Sequence, residues 1–362
     1  MARTEGEPGA GDLVAVRSAA GEVLGHGHYE PGAQIRVRLL AFGKEPEREE
    51  ALAERVAAAI SRRAGDPLLA GTYALRLVNA EGDGLPGLVV DRYADAVVVR
   101  PSTAGMLARV DRLDLAAATG AGAGLLRPDA AALRRAGVAS DERMLWGAAP
   151  EAPVAIEERG RRYRVDVRHG QKTGFYLDQR DARDLVAALA AGRRVLDAFA
   201  YTGGFAAAAL SGGAAHVVAI ESSASALALA RENLAFAAAR SECRAGDAFE
   251  VLRGDGSGFD LVILDPPPLA KRRADVPRAA RAYKDLLLHA FRSAAGGRLV
   301  LAFACSHHVG PDLFAKIAFG AALDAGRRVV VLRELGAPAD HPVSLDHPEG
   351  RYLTGLLLRV DA

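Results

Sequence analysis

Four short apolar runs in the second half of the chain each lead to a residue with chemistry to offer. Val195-Leu196 run into Asp197, Val217 to Ile220 into Glu221, Leu261 to Leu264 into Asp265, and Leu299 to Phe303 towards Cys305. Stretches with helical spacing lie between them. A run of apolar residues without polar alternation is a strand buried on both faces, and such strands alternating with helices build a parallel sheet with helices on both sides. The carboxyl ends of its strands open into one crevice, where ligands bind. The pattern predicts an α/β fold, a parallel sheet over residues 169–362 with its functional groups along one edge.

The first half has a different character. Asp12 to Phe42 mixes short apolar alternations with turns at Ala20-Gly21 and Pro31-Gly32, which predicts a small β module over 1–43. Leu52, Val56 and Ile60 stand four apart among Glu and Arg, so 44–66 is expected to be a connector helix with one inward stripe. Residues 67–168 read as a second β-rich region, with strands expected at Tyr73 to Val78, Leu88 to Asp91, Val97 to Val99 and Arg161 to Val167, and a helix near Leu107 to Ala118. A chain of 362 residues accommodates such a division.

Charge and composition exclude several classes. Forty-six basic residues against 45 acidic ones leave a net charge of +1, so no global field draws the molecule to nucleic acid or membrane, and any basic surface is local. Of the basic residues 41 are Arg; Arg suits bidentate phosphate contacts, and the Ala richness points equally to biased genomic composition. The two cysteines, Cys243 and Cys305, make no disulfide framework or zinc pattern, and no apolar signal segment opens the chain, so a reducing cytoplasm is the expected location. Cys243 reads as a small buried hydrophobe. Ala198 to Ile220 is uncharged and long enough to span a bilayer, but Gly203-Gly204 and Gly212-Gly213 divide it into strand, turn, helix and strand, so no membrane span is expected. His26 and His28 have no companion ligands, and no metal is expected.

Asp197-Ala198-Phe199-Ala200-Tyr201-Thr202-Gly203-Gly204-Phe205 follows the first strand of the sheet and opens a helix, where backbone can approach a bound nucleoside. The spacing is not GxGxxG, the pattern that leaves a helix amino-terminus free for pyrophosphate. An acidic residue before the turn and aromatic residues around it suit a cationic, phosphate-free ligand instead. Glu221, at the next strand end, can accept hydrogen bonds from two ribose hydroxyls, and Asp247 can meet the exocyclic amine of adenine. Asp197, Tyr201, Gly203, Gly204, Glu221 and Asp247 together suit S-adenosylmethionine. Taken singly, each carboxylate reads first as a cap or turn residue; their joint placement on successive strand ends favours the cofactor.

Asp265-Pro266-Pro267-Pro268 ends a buried strand with a proline run that cannot continue the ladder, holding a carboxylate and carbonyls stiffly where a planar base can dock. Cys305 ends the next long strand. C5 of a pyrimidine is a poor nucleophile, but a thiolate added at C6 activates it towards a sulfonium methyl, after which the C5 proton leaves and the thiol is eliminated. Asp265 can stabilise the charge that develops at N3. Either His307 or His308 can deprotonate the thiol; on an extended segment only one of them faces it. Lys271-Arg272-Arg273 opens a segment running to Lys284 with six basic residues and one acid, a local surface for RNA phosphates.

These residues carry a resemblance. His169-Gly170-Gln171-Lys172-Thr173-Gly174-Phe175-Tyr176-Leu177-Asp178-Gln179-Arg180, Tyr201 to Phe205, Asp265-Pro266-Pro267, Tyr283-Lys284-Asp285, Cys305-Ser306, His341-Pro342, Pro348-Glu349-Gly350 and Tyr352-Leu353 make the chain similar to the RlmI-type bacterial 23S ribosomal RNA large-subunit (cytosine-C5) methyltransferases. The likeness covers nearly everything from Leu68 onward, and Gly25 to Arg38 resembles the second half of that family's PUA RNA-binding domain. It implies a PUA-like module, a central α+β domain and a carboxyl-terminal Rossmann-like class I methyltransferase. It implies Cys305 as nucleophile, Asp265, Pro266 and Pro267 in the base pocket, and Asp197, Glu221 and Asp247 on the cofactor. Thr173, Phe175, Tyr176, Asp178 and Arg180 are implied at the cofactor too, and Lys271, Arg272, Arg273 and Lys284 at the RNA. The family begins with a basic segment and a His-Pro-Trp-like strand, whereas Met1 to Gly11 is acidic and glycine-rich, so an incomplete PUA barrel is expected. Two other readings stand beside C5 methylation of large-subunit ribosomal RNA. One is an RNA N-methyltransferase (guanine N2 or adenine N6), since Asp-Pro-Pro also suits an amine; the other is a non-catalytic ribosome-associated RNA-binding factor. Monomer and homodimer are both compatible with the sequence.

Overall fold

A computed structural model describes residues 4–45, 48–150, 153–255, 258–293 and 297–361. Contacts divide the chain into two compact units. The first holds 1–160, 166–177 and 339–350, and the second 161–165, 178–338 and 351–362.

The first unit opens with three antiparallel strands, β1 (Leu13–Arg17), β2 (Val23–Tyr29) and β3 (Val37–Phe42), so the short alternations do form a β module. α1 (Glu49–Ala64) follows and buries Leu52, Val56 and Ala59. A five-stranded sheet comprises β4 (Ala74–Asn79), β5 (Leu88–Tyr93), β6 (Ala96–Pro101), β7 (Ala123–Leu126) and β8 (Arg143–Trp146) in sequential order, with α2 (Ala104–Arg109), α3 (Leu115–Thr119) and α4 (Ala130–Arg135) in its connections. β9 (Val154–Glu158) completes the unit. The helix expected over Leu107 to Ala118 is broken. Asp114 takes a left-handed φ of 44° between α2 and α3, and the break lets Val110, Leu113 and Leu115 all reach the core, which one continuous stripe cannot do.

Segment 339–350 is bound into this unit by buried and partly buried polar contacts. The Arg76 amide donates to Asp340 Oδ2 at 2.9 Å, Asn79 Nδ2 to the Pro342 carbonyl at 2.9 Å, and Arg63 to the Asp340 carbonyl at 2.9 Å. A Cβ at Gly82 would stand 1.9 Å from the Pro342 carbonyl oxygen, so only glycine admits the segment there.

The second unit contains β10 (Arg161–Val165), α5 (Arg180–Leu189), β11 (Arg194–Asp197), α6 (Gly204–Ser211), β12 (His216–Glu221), α7 (Ala224–Leu234), β13 (Ser241–Ala245), α8 (Ala248–Asp255), β14 (Leu261–Leu264), α9 (Val276–Arg292), β15 (Arg298–Ala304), α10 (Pro311–Ala325), β16 (Val329–Leu335) and β17 (Thr354–Val360). The seven-stranded sheet has the order β13-β12-β11-β14-β15-β17-β16. All four apolar runs are strands of it, mutually parallel, as the Rossmann-like reading requires. The sheet is not wholly parallel: β17 is inserted antiparallel to both β15 and β16. β11 lies between β12 and β14, so the connections diverge on either side of it. That is the switch point at which a crevice opens beyond the strand ends.

Candidate active site

Residues at the carboxyl end of β14 and β15 in the second unit form the tightest constellation. Four fully buried residues make up β14, and Pro266, without an amide proton, ends the pairing, leaving half-buried Asp265 at the crevice. β15 runs alongside in parallel register, Leu264 opposite Ala302, and presents half-buried Cys305 just beyond its end. Cys305 Sγ donates to Asp265 Oδ1 at 3.3 Å. Ser306 Oγ donates to the Ala270 carbonyl at 2.6 Å, pinning the turn that carries the thiol to the segment after the proline run.

Two further buried side chains complete the group. Gln179 sits directly before α5, is 1% exposed, and donates from Nε2 to Asp265 Oδ2 at 3.0 Å. Tyr283 of α9 is buried, and its phenol is pushed above the ordinary tyrosine range by burial first and then by its proximity to Cys305 and Asp265. Neither was read from sequence as a functional residue, although both stand in motifs that carry the resemblance.

The glycine turn after β11 is the second feature. Tyr201 (φ 48°) and Gly203 (φ 80°) both take the left-handed conformation, and Gly203 caps α6. Gly204 is the first residue of that helix. Asp197 is fully buried; its Oδ2 accepts the Ala206 amide at 3.0 Å, while Oδ1 has no hydrogen-bond partner. Burial pushes its pKa up to about 8; the charges of Asp265 and Glu221 raise it further, against the Ala206 hydrogen bond. Glu221 accepts the Tyr201 amide at 2.9 Å on Oε2, and the Ser223 amide at 2.7 Å and the Ser222 hydroxyl at 3.3 Å on Oε1, so it supports the turn, and only Oε2 keeps a lone pair for a ligand. Asp247 is exposed and accepts the Phe249 amide at 2.7 Å, capping α8. The cap reading thus holds for Asp247, while Glu221 ties the glycine turn to the end of β12.

The other expected site residues are distributed over both units. Thr173 belongs to the first unit, 1% exposed; its hydroxyl donates to Asp91 Oδ2 at 2.6 Å and stands 2.8 Å from the Tyr93 hydroxyl. Phe175 is buried in that unit as well, and Tyr176 donates to Gln171 Oε1 at 2.6 Å under the Lys172 ammonium, 4.3 Å from its ring. Asp178 and Arg180 lie buried in the second unit, Asp178 accepting the Tyr352 hydroxyl at 2.6 Å. Lys271, Arg272 and Arg273 are exposed beyond buried Pro266 and exposed Pro267, with Arg272 3.5 Å from Asp275. Lys284 does not join them: two turns further along α9, its ammonium pairs with Asp324 at 2.7 Å. Cys243 is half-exposed on edge strand β13 rather than buried. Residues 307 and 308 lie in a turn, not an extended segment, so their rings do not diverge but stand 3.8 Å apart, and the carboxylate against the thiol is Asp265. His28 is buried in the first unit with its pKa lowered to about 4 by burial and by Arg109. Among the described residues no cluster of three metal-capable side chains occurs, and no helix is long and apolar enough to cross a membrane.

Comparison with known proteins adds to this geometry. A family model for S-adenosylmethionine-dependent methyltransferases matches residues 124–344, and one for PUA-like domains matches residues 1–42. A protein of Aeromonas hydrophila named ribosomal RNA large subunit methyltransferase I is 39% identical over 99% of this chain and 92% of its own length. One of Escherichia coli with the same name is 36% identical over 99% and 93%. Among solved structures, one from Streptococcus mutans assigned to the SAM-dependent methyltransferases superposes with a TM-score of 0.83 at 22% identity, covering 97% of this chain and 92% of that one. Another, a methyltransferase complexed with SAH, gives the same score at 21% identity. These two show a shared fold.

Proposed function

We propose a specific reaction from one premise: the chain belongs to the ribosomal RNA large subunit methyltransferase I family of S-adenosylmethionine-dependent enzymes. It is an RNA methyltransferase with S-adenosylmethionine as its cofactor. We infer that it places the methyl on C5 of a cytosine in large-subunit ribosomal RNA, in the cytoplasm, through a covalent adduct of Cys305. We also divide the chain as 1–43 PUA-like module, 44–66 connector, 67–168 central domain and 169–362 methyltransferase domain.

The residues of the second unit fit the cofactor. Asp197 offers a buried oxygen without a partner beside a left-handed glycine turn, and a cationic ligand compensates such an oxygen. Tyr201, Gly203 and Gly204 would line the ligand through backbone, while Glu221 and Asp247 would use their remaining lone pairs on ribose and adenine. When bound, S-adenosylmethionine supplies an electrophilic methyl group on a sulfonium.

The observation that carries the chemistry is the 3.3 Å approach of Cys305 Sγ to Asp265 Oδ1 at the crevice. Asp265 takes the thiol proton as sulfur bonds to C6 of the cytosine, and it passes that proton to N3, where the displaced electron density collects. The C5=C6 pair is thereby available at C5 for methylation. Loss of the C5 proton to a base then restores the double bond and expels sulfur as a thiolate, and the N3 proton returns through Asp265 to re-form the thiol. Pro266 and Pro267 hold this corner rigid, and Lys271, Arg272 and Arg273 meet RNA phosphates. Replacing the C5 hydrogen by fluorine removes the proton whose loss releases sulfur, so RNA carrying 5-fluorocytidine is expected to remain bound to Cys305 as an adduct seen by mass spectrometry. Cys305→Ala is expected to lose turnover by on the order of 10⁴-fold. Undiminished turnover in that variant refutes C5 chemistry and favours methylation of an exocyclic amine.

A further inference from the structure

Gln179 is a large polar side chain buried at the reacting corner with only half of its amide satisfied. Its Nε2 donates to Asp265 Oδ2, while its Oε1 is buried with no hydrogen-bond partner. Leaving such an acceptor unpaired costs stability, and an apolar side chain of the same shape avoids that cost. A carboxylate has only acceptors to offer, so the amide orientation is set: nitrogen towards Asp265. The two oxygens of Asp265 are therefore distinguished, with Oδ2 engaged by Gln179 and Oδ1 by the Cys305 thiol at 3.3 Å.

We propose that Gln179 is the positioning residue of the active site: it locks the Asp265 carboxylate in the rotamer that presents Oδ1 to Cys305. The inference deepens the C5-methylation reading and rests on it for its catalytic meaning. A carboxylate that accepts the thiol hydrogen bond, and whose charge opposes a neighbouring thiolate, holds the resting sulfur protonated and takes its proton only when an electrophilic carbon arrives. Without the Gln179 donor the carboxylate loses the hydrogen bond that fixes Oδ2, its hydrogen bond with the thiol weakens, and the thiol ionises at lower pH. The titratable groups that face this pair include Tyr283, which interacts with both Cys305 and Asp265, and Asp197, which interacts with Asp265; none of the variants below alters either of them.

The test uses the full-length protein and needs neither cofactor nor RNA. The rate of Cys305 alkylation by iodoacetamide is followed against pH by peptide mass spectrometry, with Cys243 as internal reference. Gln179→Met keeps the length and removes the donor; Gln179→Asn keeps the amide and is one methylene too short to reach. Both are expected to move the midpoint of the Cys305 profile about one pH unit lower, while the Cys243 profile stays in place. Asp265→Asn is the control and is expected to move it at least as far. A midpoint that moves in Asp265→Asn but stays at the wild-type value in both Gln179 variants overturns the positioning role and leaves the proposed reaction standing. A midpoint unmoved by Asp265→Asn shows that Asp265 and Cys305 are not coupled, and the proposed reaction falls with it. Loosening of the structure alone would change the plateau rate and expose Cys243, without moving the midpoint. If one variant fails to fold, as thermal unfolding reveals, the other decides the matter.

Discussion

Replacing Asp197 by Asn should make the protein more stable at alkaline pH and no more stable at acid pH. The side chain is fully buried, with Oδ2 bound to the Ala206 amide and Oδ1 without a partner. Its pKa in the folded protein is raised to about 8, from an ordinary value of 3.8. As pH rises through 3.8 the unfolded chain releases this proton while the folded one retains it, so the unfolded state is favoured progressively until the folded group also ionises near 8. Below both values the group contributes nothing; above both the full penalty is present. At 1.36 kcal/mol for each pKa unit, the displacement sets an upper bound of roughly 6 kcal/mol. Water entering the crevice reduces that bound, and about 2–3 kcal/mol is the expected difference. Asn is nearly isosteric with the protonated acid and still offers an oxygen to Ala206, so the two proteins should coincide near pH 4. Thermal unfolding from pH 4 to 9 should show the Asp197→Asn variant gaining about 5–10 °C by pH 9 and almost nothing at pH 4. A gain independent of pH, or a loss at pH 9, would refute the argument that a buried, half-satisfied carboxylate strains the resting protein. Calorimetry with S-adenosylhomocysteine should show the same variant binding more weakly, since stability gained there is function lost.

His28 gives the opposite slope in the first unit. Its pKa is lowered to about 4, so the unfolded chain takes a proton first as pH falls through 6.5; stability is complete above that value and declines by about 2–3 kcal/mol on the way to pH 4. Urea unfolding should show that decline in the wild type, and His28→Gln should flatten it. Gly203→Ala places a Cβ on a residue at φ 80°, costing about 1–2 kcal/mol and disturbing the α6 amino-terminus; chemical denaturation and S-adenosylhomocysteine binding should both register it. Replacing Lys271, Arg272 and Arg273 together by Ala should weaken RNA binding and flatten its logarithmic salt dependence by about 2, at ~0.7 per lost phosphate contact. Lys284→Ala should leave that slope unchanged, because its ammonium is paired with Asp324.

What could be read in the sequence was whatever declares itself locally. An apolar run ending in Asp-Pro-Pro is a buried strand with a rigid end whatever surrounds it, and Leu264 next to Asp265 needs no knowledge of the fold to be placed. The same holds for the φ 80° of Gly203, which only glycine adopts at little cost. Roles that depend on a partner far along the chain were not legible. Thr173 stands in a motif with Gln179 and Arg180, yet its hydroxyl is claimed by Asp91 and Tyr93, both some 80 positions upstream, and nothing in the motif indicates that its two halves belong to different units. Gln179 acquires its meaning from Asp265, 86 positions away. β17 escaped notice because a buried central strand reads alike whether it runs parallel or antiparallel; direction is set by the path of the chain, which leaves the second unit for 339–350 before returning. Asp247 shows that a cap reading and a ligand reading need not exclude one another. At the carboxyl ends of parallel strands the next helix begins at the crevice, so a carboxylate that caps the helix stands where a ligand would meet its remaining lone pairs.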